Sequence, residues 1–185
     1  MYLIHETEVK FLKKILKEGY IKSNNLTNNL GHGDGIYTGK NKYVYFNIID
    51  KINSEYQIPS PSTSVILYFD YEILYNRSFY ISNMLSSKPH LLGKWKTDSG
   101  YKYKLKYPRY QDLKETKRIL KKFFKYSVNI VPNGFGFTGF QQVAILNQTN
   151  LKYLKAIKIN KISVRDLKII NSIIEKQKLD VTIIS

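Results

Sequence analysis

Residues 2–21, YLIHETEVKFLKKILKEGYI, join a short apolar stretch to an amphipathic one, and this junction decides the fold. The first four residues predict a buried strand that ends at His5. Thr7 is suited to cap a helix over about Glu8–Glu18, whose apolar side chains recur at helical spacing. Gly19 is a typical residue at a helix C-terminus. The pattern therefore predicts a histidine at the end of a strand that leads directly into a helix.

A glycine-rich stretch, GHGDGIYT, occupies residues 31–38 and begins inside a predicted loop over residues 22–35. It does not match the dinucleotide fingerprint G-x-G-x-x-G, because its third glycine comes too early and Ile-Tyr-Thr continues as a strand. It is not a Walker loop either, because no G-K-[ST] follows. Taken alone, the stretch predicts a turn.

The rest of the chain mixes strand and helix patterns without a βαβ rhythm, which predicts an α+β fold with a split β-sheet core in a single domain over residues 1–185. The predicted strands are KYVYFNI (42–48), VILYFDYEIL (65–74), QQVAIL (141–146), LKAIKI (154–159) and VTII (181–184). The predicted helices are DLKETKRILKKFF (112–124) and a helix to about Lys176 that begins at a capping box of Ser163 and Asp166.

Composition limits the possible functions. The 185 residues contain no cysteine, which excludes disulfides and thiolate sites, and only three histidines, which are far apart in sequence, so no metal site is expected. No apolar run reaches the length of a membrane span. We expect an intracellular protein of the cytoplasm or nucleus, or a virion component. The net charge of +16 favours an anionic partner, although codon bias toward lysine is an alternative cause.

Three short motifs follow one another in the N-terminal part: LIHET (3–7), ILKEG (15–19) and GDGIYT (33–38). In this order they resemble the ADP-ribosyltransferase superfamily, in its poly(ADP-ribose) polymerase-like and DarT-like branches. The C-terminal strand, helix and strand also resemble DarT-type enzymes, which ADP-ribosylate DNA. The toxin branch with an Arg-Ser-Glu triad fits less well, because no arginine precedes Arg77. The resemblance implies an ADP-ribosyltransferase-like fold, with NAD as the substrate of an active protein.

The resemblance also implies a site. Its catalytic positions would be His5, Tyr37 and Gln142, and its cofactor-binding positions would be His5, Glu6, Thr7, Gly35, Tyr37, Tyr43 and Tyr45. Two residues depart from the family pattern: Gln142 replaces the usual glutamate, and Glu6 replaces the usual glycine after the histidine. A glutamine can hydrogen-bond a ribose hydroxyl, but it supplies no negative charge and cannot act as a base. The alternative interpretation is that His5 and Tyr37 are structural residues of the core.

Residues 88–125 form a predicted basic, aromatic-rich insertion, with thirteen Lys or Arg against three acidic residues. Lysines neutralise phosphates and aromatic rings stack on unpaired bases, so this composition favours DNA or RNA, including single strands. The candidate contacts are Lys94, Trp95, Lys96, Lys102, Tyr103, Lys104, Lys106, Arg109 and Arg118. An ordinary solvated surface is the alternative.

Two functions remain open from the sequence. One is an enzyme that moves ADP-ribose from NAD to nucleic acid or protein, with activity that the Gln142 substitution can weaken or abolish. The other is a basic nucleic-acid-binding or packaging protein, of viral or cellular origin, that keeps the fold without the chemistry. The sequence does not determine the acceptor or the oligomeric state.

Overall fold

The computed structural model describes residues 1–27, 43–49, 51–52, 65–74, 79–83, 102–105, 114, 117–118, 120–121 and 141–184. Its strands are β1 (Tyr2–Thr7), β2 (Tyr20–Lys22), β3 (Tyr43–Ile49), β4 (Val65–Asp70), β5 (Phe79–Asn83), β6 (Lys102–Leu105), β7 (Gln141–Leu146), β8 (Gln148–Asn150), β9 (Leu154–Ile159) and β10 (Thr182–Ile184). Its helices are α1 (Val9–Glu18), α2 (Asn24–Thr27) and α3 (Val164–Lys176), with 3-10 turns at Tyr71–Leu74 and Leu151–Tyr153.

Among the described residues, eight strands form one sheet in the order β10-β9-β4-β1-β3-β7-β5-β6. Neighbouring strands pair antiparallel except for β9 and β10, which are parallel across the connecting helix α3. The strands β2 and β8 form a separate antiparallel pair. This mixture of a largely antiparallel sheet with packed helices confirms the predicted α+β class.

The main core lies between one face of the sheet and the helices α1 and α3. Leu12 and Leu16 of α1 and Ile170 of α3 are fully buried against sheet residues such as Leu3 and Phe46. The apolar spacing in both helices explains this packing, since residues three or four apart share one face. Each buried Leu, Ile or Phe side chain contributes about 1.5–3 kcal/mol relative to an exposed one. A smaller cluster, which includes Ile4, Ile66 and Tyr68, occupies the opposite sheet face.

Two predicted capping residues are confirmed, one at the C-terminus of α1 and one at the N-terminus of α3. Gly19 adopts a left-handed conformation with φ of 73° after α1, and its N–H donates to the Ile15 carbonyl at 2.9 Å. Ser163 precedes α3, and its hydroxyl accepts from the Asp166 N–H at 3.0 Å. The Asp166 carboxylate also lies 2.6 Å from the Lys13 ammonium, which connects α3 to α1.

Three local predictions were wrong. Thr7 does not cap α1, because it is the last residue of β1 and pairs with Val65; Glu8 stands at the N-cap without a side-chain capping bond. The strand predicted over 65–74 ends at Asp70, whose carboxylate accepts from the Glu72 N–H and begins a 3-10 turn. The predicted loop over 22–35 starts instead with the end of β2 and the short helix α2.

Within the described ranges, no helix is long and apolar enough to cross a membrane. The same ranges contain no group of three or more His, Asp or Glu side chains that could hold a metal ion.

Candidate active site

The strands β1 and β3 separate at one end of the sheet. On its other side β1 pairs with β4 along its whole length, from Tyr2 to Thr7. Its pairing with β3, in contrast, stops after Ile4, whose Cα partner is Asn47. Beyond this point both strands continue, so the last residues of β1 and the first residues of β3 border an opening in the sheet. The predicted histidine is the first residue after the paired part.

The His5 side chain spans this opening. Its Nδ1 lies 3.0 Å from the carbonyl oxygen of Tyr45, so Nδ1 carries the proton and donates it. In the neutral ring, Nε2 is therefore the hydrogen-bond acceptor. Burial lowers the pKa of His5 below its ordinary value of 6.5, and this outweighs the hydrogen bond to Tyr45, which raises it. The neutral imidazole therefore has one donor that is already used, Nδ1, and one remaining acceptor, Nε2. Nε2 can accept a hydrogen bond from a hydroxyl group of a ligand.

A cleft of about 400 Å³ opens at this split, a size typical of small-molecule sites. Its walls come from the end of β1, from α1, from the segment β2–α2 and from the start of β3. The residues that line it are His5, Glu6, Thr7, Glu8, Phe11, Lys14, Ile15, Glu18, Tyr20, Ile21, Lys22, Ser23, Asn24, Thr27, Tyr43, Val44 and Tyr45. Since the helix α1 follows β1 directly, the sequence junction at residues 2–21 builds most of this cleft.

Two hydroxyl groups in the cleft are buried. The Tyr45 OH and the Ser23 Oγ have no hydrogen-bond partner among the described residues. Burial raises the pKa of Tyr45, and the neighbouring Tyr43 adds to this effect, so the phenol stays protonated and able to donate. A buried polar group without a partner costs free energy, so a polar ligand that hydrogen-bonds these hydroxyls would recover it.

Aromatic side chains lie at the cleft as well. Phe11 and Tyr20 are exposed to solvent by 39% and 40%, so their rings can contact a ligand. The rings of Tyr43 and Tyr45 pack edge to face, with centroids 6.3 Å apart. Phe46, in contrast, is fully buried and its ring packs edge to face on Phe69, so it is part of the core and not a stacking surface.

Charged groups on the helical wall of the cleft are paired. The Glu18 carboxylate lies 2.9 Å from the Lys22 ammonium and 4.0 Å from that of Lys14. The Glu8 carboxylate lies 2.8 Å from the ammonium of Lys10. The two lysines near Glu18 line the cleft, so an anionic ligand group could take the place of the Glu18 carboxylate between them.

Near the end of β1, Glu6 interacts with an amide. The Asn47 Nδ2 donates to the Glu6 Oε1 at 3.3 Å. Asn47 is the Cα partner of Ile4 on one side and of Gln142 on the other. Gln142 is thus level with Ile4, and β3 lies between the strands of His5 and Gln142. The convergence of the predicted catalytic set around one cleft stays a prediction.

The structure brings together most, but not all, of the predicted cofactor-binding residues. His5, Glu6, Thr7, Tyr43 and Tyr45 line the cleft, whereas Gly35 and Tyr37 lie outside the described residues. Sequence reasoning missed the contributions of α1 and of the β2–α2 segment, such as Phe11, Lys22 and Ser23. For α1, a signal was available in the sequence, since four of the residues that line the cleft recur at helical spacing: Phe11, Lys14, Ile15 and Glu18. For the β2–α2 segment, no comparable signal exists.

The predicted nucleic-acid-binding segment is described only in part. Lys102, Tyr103 and Lys104 belong to β6, the edge strand of the described sheet. Arg118 is helical and exposed, as are Lys114, Lys117 and Lys121. The remaining candidates, Lys94, Trp95, Lys96, Lys106 and Arg109, lie outside the described residues. Nucleic-acid binding by this segment stays a prediction.

Comparison with known proteins finds solved structures with a similar fold. No protein-family model matches the sequence, and no curated protein matches it significantly. Among solved structures, DarT of Thermus sp. 2.9 in complex with carba-NAD+ is similar, with a TM-score of 0.56, 13% identity and coverage of 100% of this chain and 95% of that chain. The same protein in complex with ADP-ribosylated ssDNA gives a TM-score of 0.55, 13% identity and coverage of 99% and 93%.

A second solved structure of the same type is the Thermosipho africanus DarTG in complex with ADP-ribose. Its TM-score is 0.52 at 12% identity, and the match covers 99% of this chain but 49% of that chain. The chain therefore has an α+β fold similar to that of DarT. This likeness in fold confirms the DarT-like ADP-ribosyltransferase fold that the sequence motifs indicate.

Proposed function

We propose that this chain is an ADP-ribosyltransferase that uses NAD as the donor and binds it in the cleft between β1 and β3. The observation that carries the proposal is the position of His5, held across the split by its hydrogen bond to the Tyr45 carbonyl, in a fold of the DarT type. The structures with a similar fold include DarT in complex with NAD+, which supports the choice of donor.

The described residues can perform the parts of this reaction that concern binding. The neutral His5 ring offers Nε2 to a ribose hydroxyl, while Tyr45 and Ser23 offer buried hydroxyls. The exposed rings of Phe11 and Tyr20 are suited to stack on a base or a nicotinamide ring. A pyrophosphate carries two negative charges, which Lys14 and Lys22 can balance. These contacts hold the donor, and the bond that breaks joins nicotinamide to the ribose.

Nucleic acid is the proposed acceptor. The Thermus DarT structure in complex with ADP-ribosylated ssDNA supports single-stranded DNA. The basic composition of residues 88–125 supports the same choice, since an enzyme that modifies DNA or RNA must hold its phosphates. Protein remains the other acceptor to test.

Incubation with NAD labelled in its adenylate part tests this function. Single-stranded DNA, RNA and a protein mixture serve as separate acceptors, and His5→Ala is the inactive control. We expect label on the nucleic acid that depends on His5. Label on none of the acceptors, together with no release of nicotinamide, would contradict the proposal.

A non-enzymatic nucleic-acid-binding function is the second candidate. The neutral Gln142 at the position of the family glutamate favours it, together with the net charge of +16. It predicts salt-sensitive binding of nucleic acid by a chain that neither binds nor cleaves NAD.

A further inference from the structure

The side chains that line the described cleft do not share the chain's excess of positive charge, which is +16 overall. The charged residues of this lining are three glutamates and two lysines: Glu6, Glu8, Glu18, Lys14 and Lys22. A ligand with a diphosphate group is an anion, so this lining attracts it less than the total charge of the chain suggests. The arrangement of the two lysines therefore decides how the cleft can receive a phosphate group.

The two lysines reach one carboxylate from two different elements. Lys14 and Glu18 are one turn apart on α1, with 4.0 Å between the Lys14 Nζ and the Glu18 Oε1. Lys22 belongs to β2, and its Nζ lies 2.9 Å from the Glu18 Oε2. The left-handed Gly19 turns the chain from α1 into β2, and the pairing of Lys22 with Gln148 fixes this strand. Glu18 thus lies between two ammonium groups at the cleft.

This arrangement is suited to a phosphate group, with the Glu18 carboxylate in its place. Lysine ammonium groups donate to phosphate oxygens as they do to carboxylate oxygens. Ser23, the residue after Lys22, lines the same cleft, and its buried hydroxyl has no hydrogen-bond partner among the described residues. A phosphate oxygen at the two lysines would provide a nearby acceptor for such a hydroxyl. The cleft therefore contains both the cations of an anion site and an anion that occupies it.

The contacts of Glu18 are weak enough to be exchanged. The side chains of Glu18 and Lys22 are each 32% exposed, and that of Lys14 is 63% exposed. Ion pairs with this exposure contribute little to stability, because water and salt screen them. A diphosphate carries more negative charge than one carboxylate, so it interacts more strongly with the same two lysines. Glu18 opposes its binding, because it occupies the lysines and repels the incoming anion.

We propose that Glu18 is an internal competitor for a diphosphate site formed by Lys14 and Lys22, and that it sets the affinity of the cleft for phosphate ligands. This inference rests on the proposed function, in which the diphosphate belongs to NAD. When the ligand binds, the Glu18 carboxylate leaves the two ammonium groups and turns to solvent. Loss of the Glu18 charge therefore tightens the binding of diphosphate ligands, whereas the loss of a side chain that contacts the ligand would weaken it.

Calorimetric titration of the wild type and Glu18→Gln tests the inference with four ligands: NAD, ADP-ribose, inorganic pyrophosphate and adenosine. Glu18→Gln keeps the size of the side chain and removes its charge. We expect the variant to bind the three diphosphate ligands about three- to tenfold more tightly at low salt, with no change for adenosine. The gain should shrink at about 1 M salt, where the screening length is about 3 Å.

Two further variants show whether the gain comes from this site. Glu175→Gln, at an exposed position of α3, removes the same charge outside the cleft and should keep the wild-type affinities. In the double variant Glu18→Gln/Lys22→Gln, the gain should be lost, because one of the two ammonium groups is missing. If Glu18→Gln does not fold, Glu18→Ala takes its place, and the same tightening is expected because it also removes the charge.

The possible results separate this inference from the function on which it rests. Unchanged or weaker diphosphate binding by Glu18→Gln, or an equal gain for adenosine or in Glu175→Gln, overturns the inference, while NAD binding by the wild type keeps the proposed donor. If pyrophosphate binds and gains affinity in Glu18→Gln but NAD binds to neither protein, the diphosphate site stands and the proposed function fails. If none of the three diphosphate ligands binds to either protein, both fail.

Discussion

At the scale of single residues, the buried His5 ring links stability to pH. Its folded-state pKa lies below the unfolded value of 6.5, so the unfolded chain takes up the proton first. The contribution of the neutral His5 ring to the free energy of unfolding is fully present above pH 6.5. This contribution decreases as the pH drops below 6.5. We expect this loss in urea titrations of the wild type between about pH 7.5 and 5.5, a range of about one unit above and below that value.

His5→Asn is the control for this prediction, because its amide can donate to the Tyr45 carbonyl but does not titrate. As the pH falls, the wild type should lose more unfolding free energy than His5→Asn does. A difference that is constant across this range would show that His5 has the same pKa in both states.

The sequence predicts some of these residues and not others, for a physical reason. The position of His5 follows from a local pattern, an apolar strand that ends before a helix. The contact of Glu6 with Asn47 joins two strands that are 41 residues apart, and their register is not contained in either segment. The tyrosines of β3 were predicted as cofactor contacts through the resemblance, which also led to Gly35 and Tyr37, outside the described residues.

At the scale of elements, the C-terminus of α1 sets the direction in which the chain continues into β2, which lines the cleft. Gly19 has a left-handed backbone with φ of 73°, and its carbonyl accepts from the Leu151 N–H at 3.0 Å. A Cβ at this position would have no atom within 4 Å, so a substitution costs backbone strain alone. We expect Gly19→Ala to lower the free energy of unfolding by about 1–2 kcal/mol, measured by chemical denaturation.

Lys17→Ala, at an exposed position of the same helix, is the matched control and should change stability by less than about 0.5 kcal/mol. Gly19→Asn should lie between the two, because asparagine tolerates the left-handed region. Equal stability of Gly19→Ala and the wild type would mean that the helix end rearranges without cost.

The C-terminal end of α1 and the N-terminal end of α3 were the features that the sequence predicted best. The capping box of Ser163 and the terminal Gly19 are local signals, and both are confirmed. The short pair β2–β8 was not predicted, because three-residue strands are specified by their partner and not by their own pattern. The misassigned Thr7 has the same cause, since its pairing with Val65 extends β1 past the histidine.

At the scale of the whole molecule, the excess of positive charge predicts salt-sensitive binding of single-stranded nucleic acid. Each phosphate contact adds a slope of about 0.7 to the plot of log affinity against log salt concentration. Lys114, Arg118 and Lys121 are each helical and exposed. Their joint replacement by alanine should reduce the slope by about two units if all three contact phosphates.

The control variant removes the same charge outside the segment 88–125. It replaces three other exposed lysines with alanine: Lys161, Lys176 and Lys178. This control variant should keep the wild-type slope in fluorescence anisotropy titrations. Equal slopes for the two triple variants would mean that net charge, and not the segment 88–125, determines binding.

Calorimetric titration with NAD tests the central claim, that the split between β1 and β3 is a donor site. His5→Asn is the variant to compare, since it can retain the hydrogen bond that crosses the split but loses the Nε2 acceptor. We predict saturable binding at one site in the wild type and an affinity lower by about tenfold or more in the variant, the value of roughly one hydrogen bond. No saturable binding at millimolar NAD, or equal affinity of the two proteins, would contradict the account.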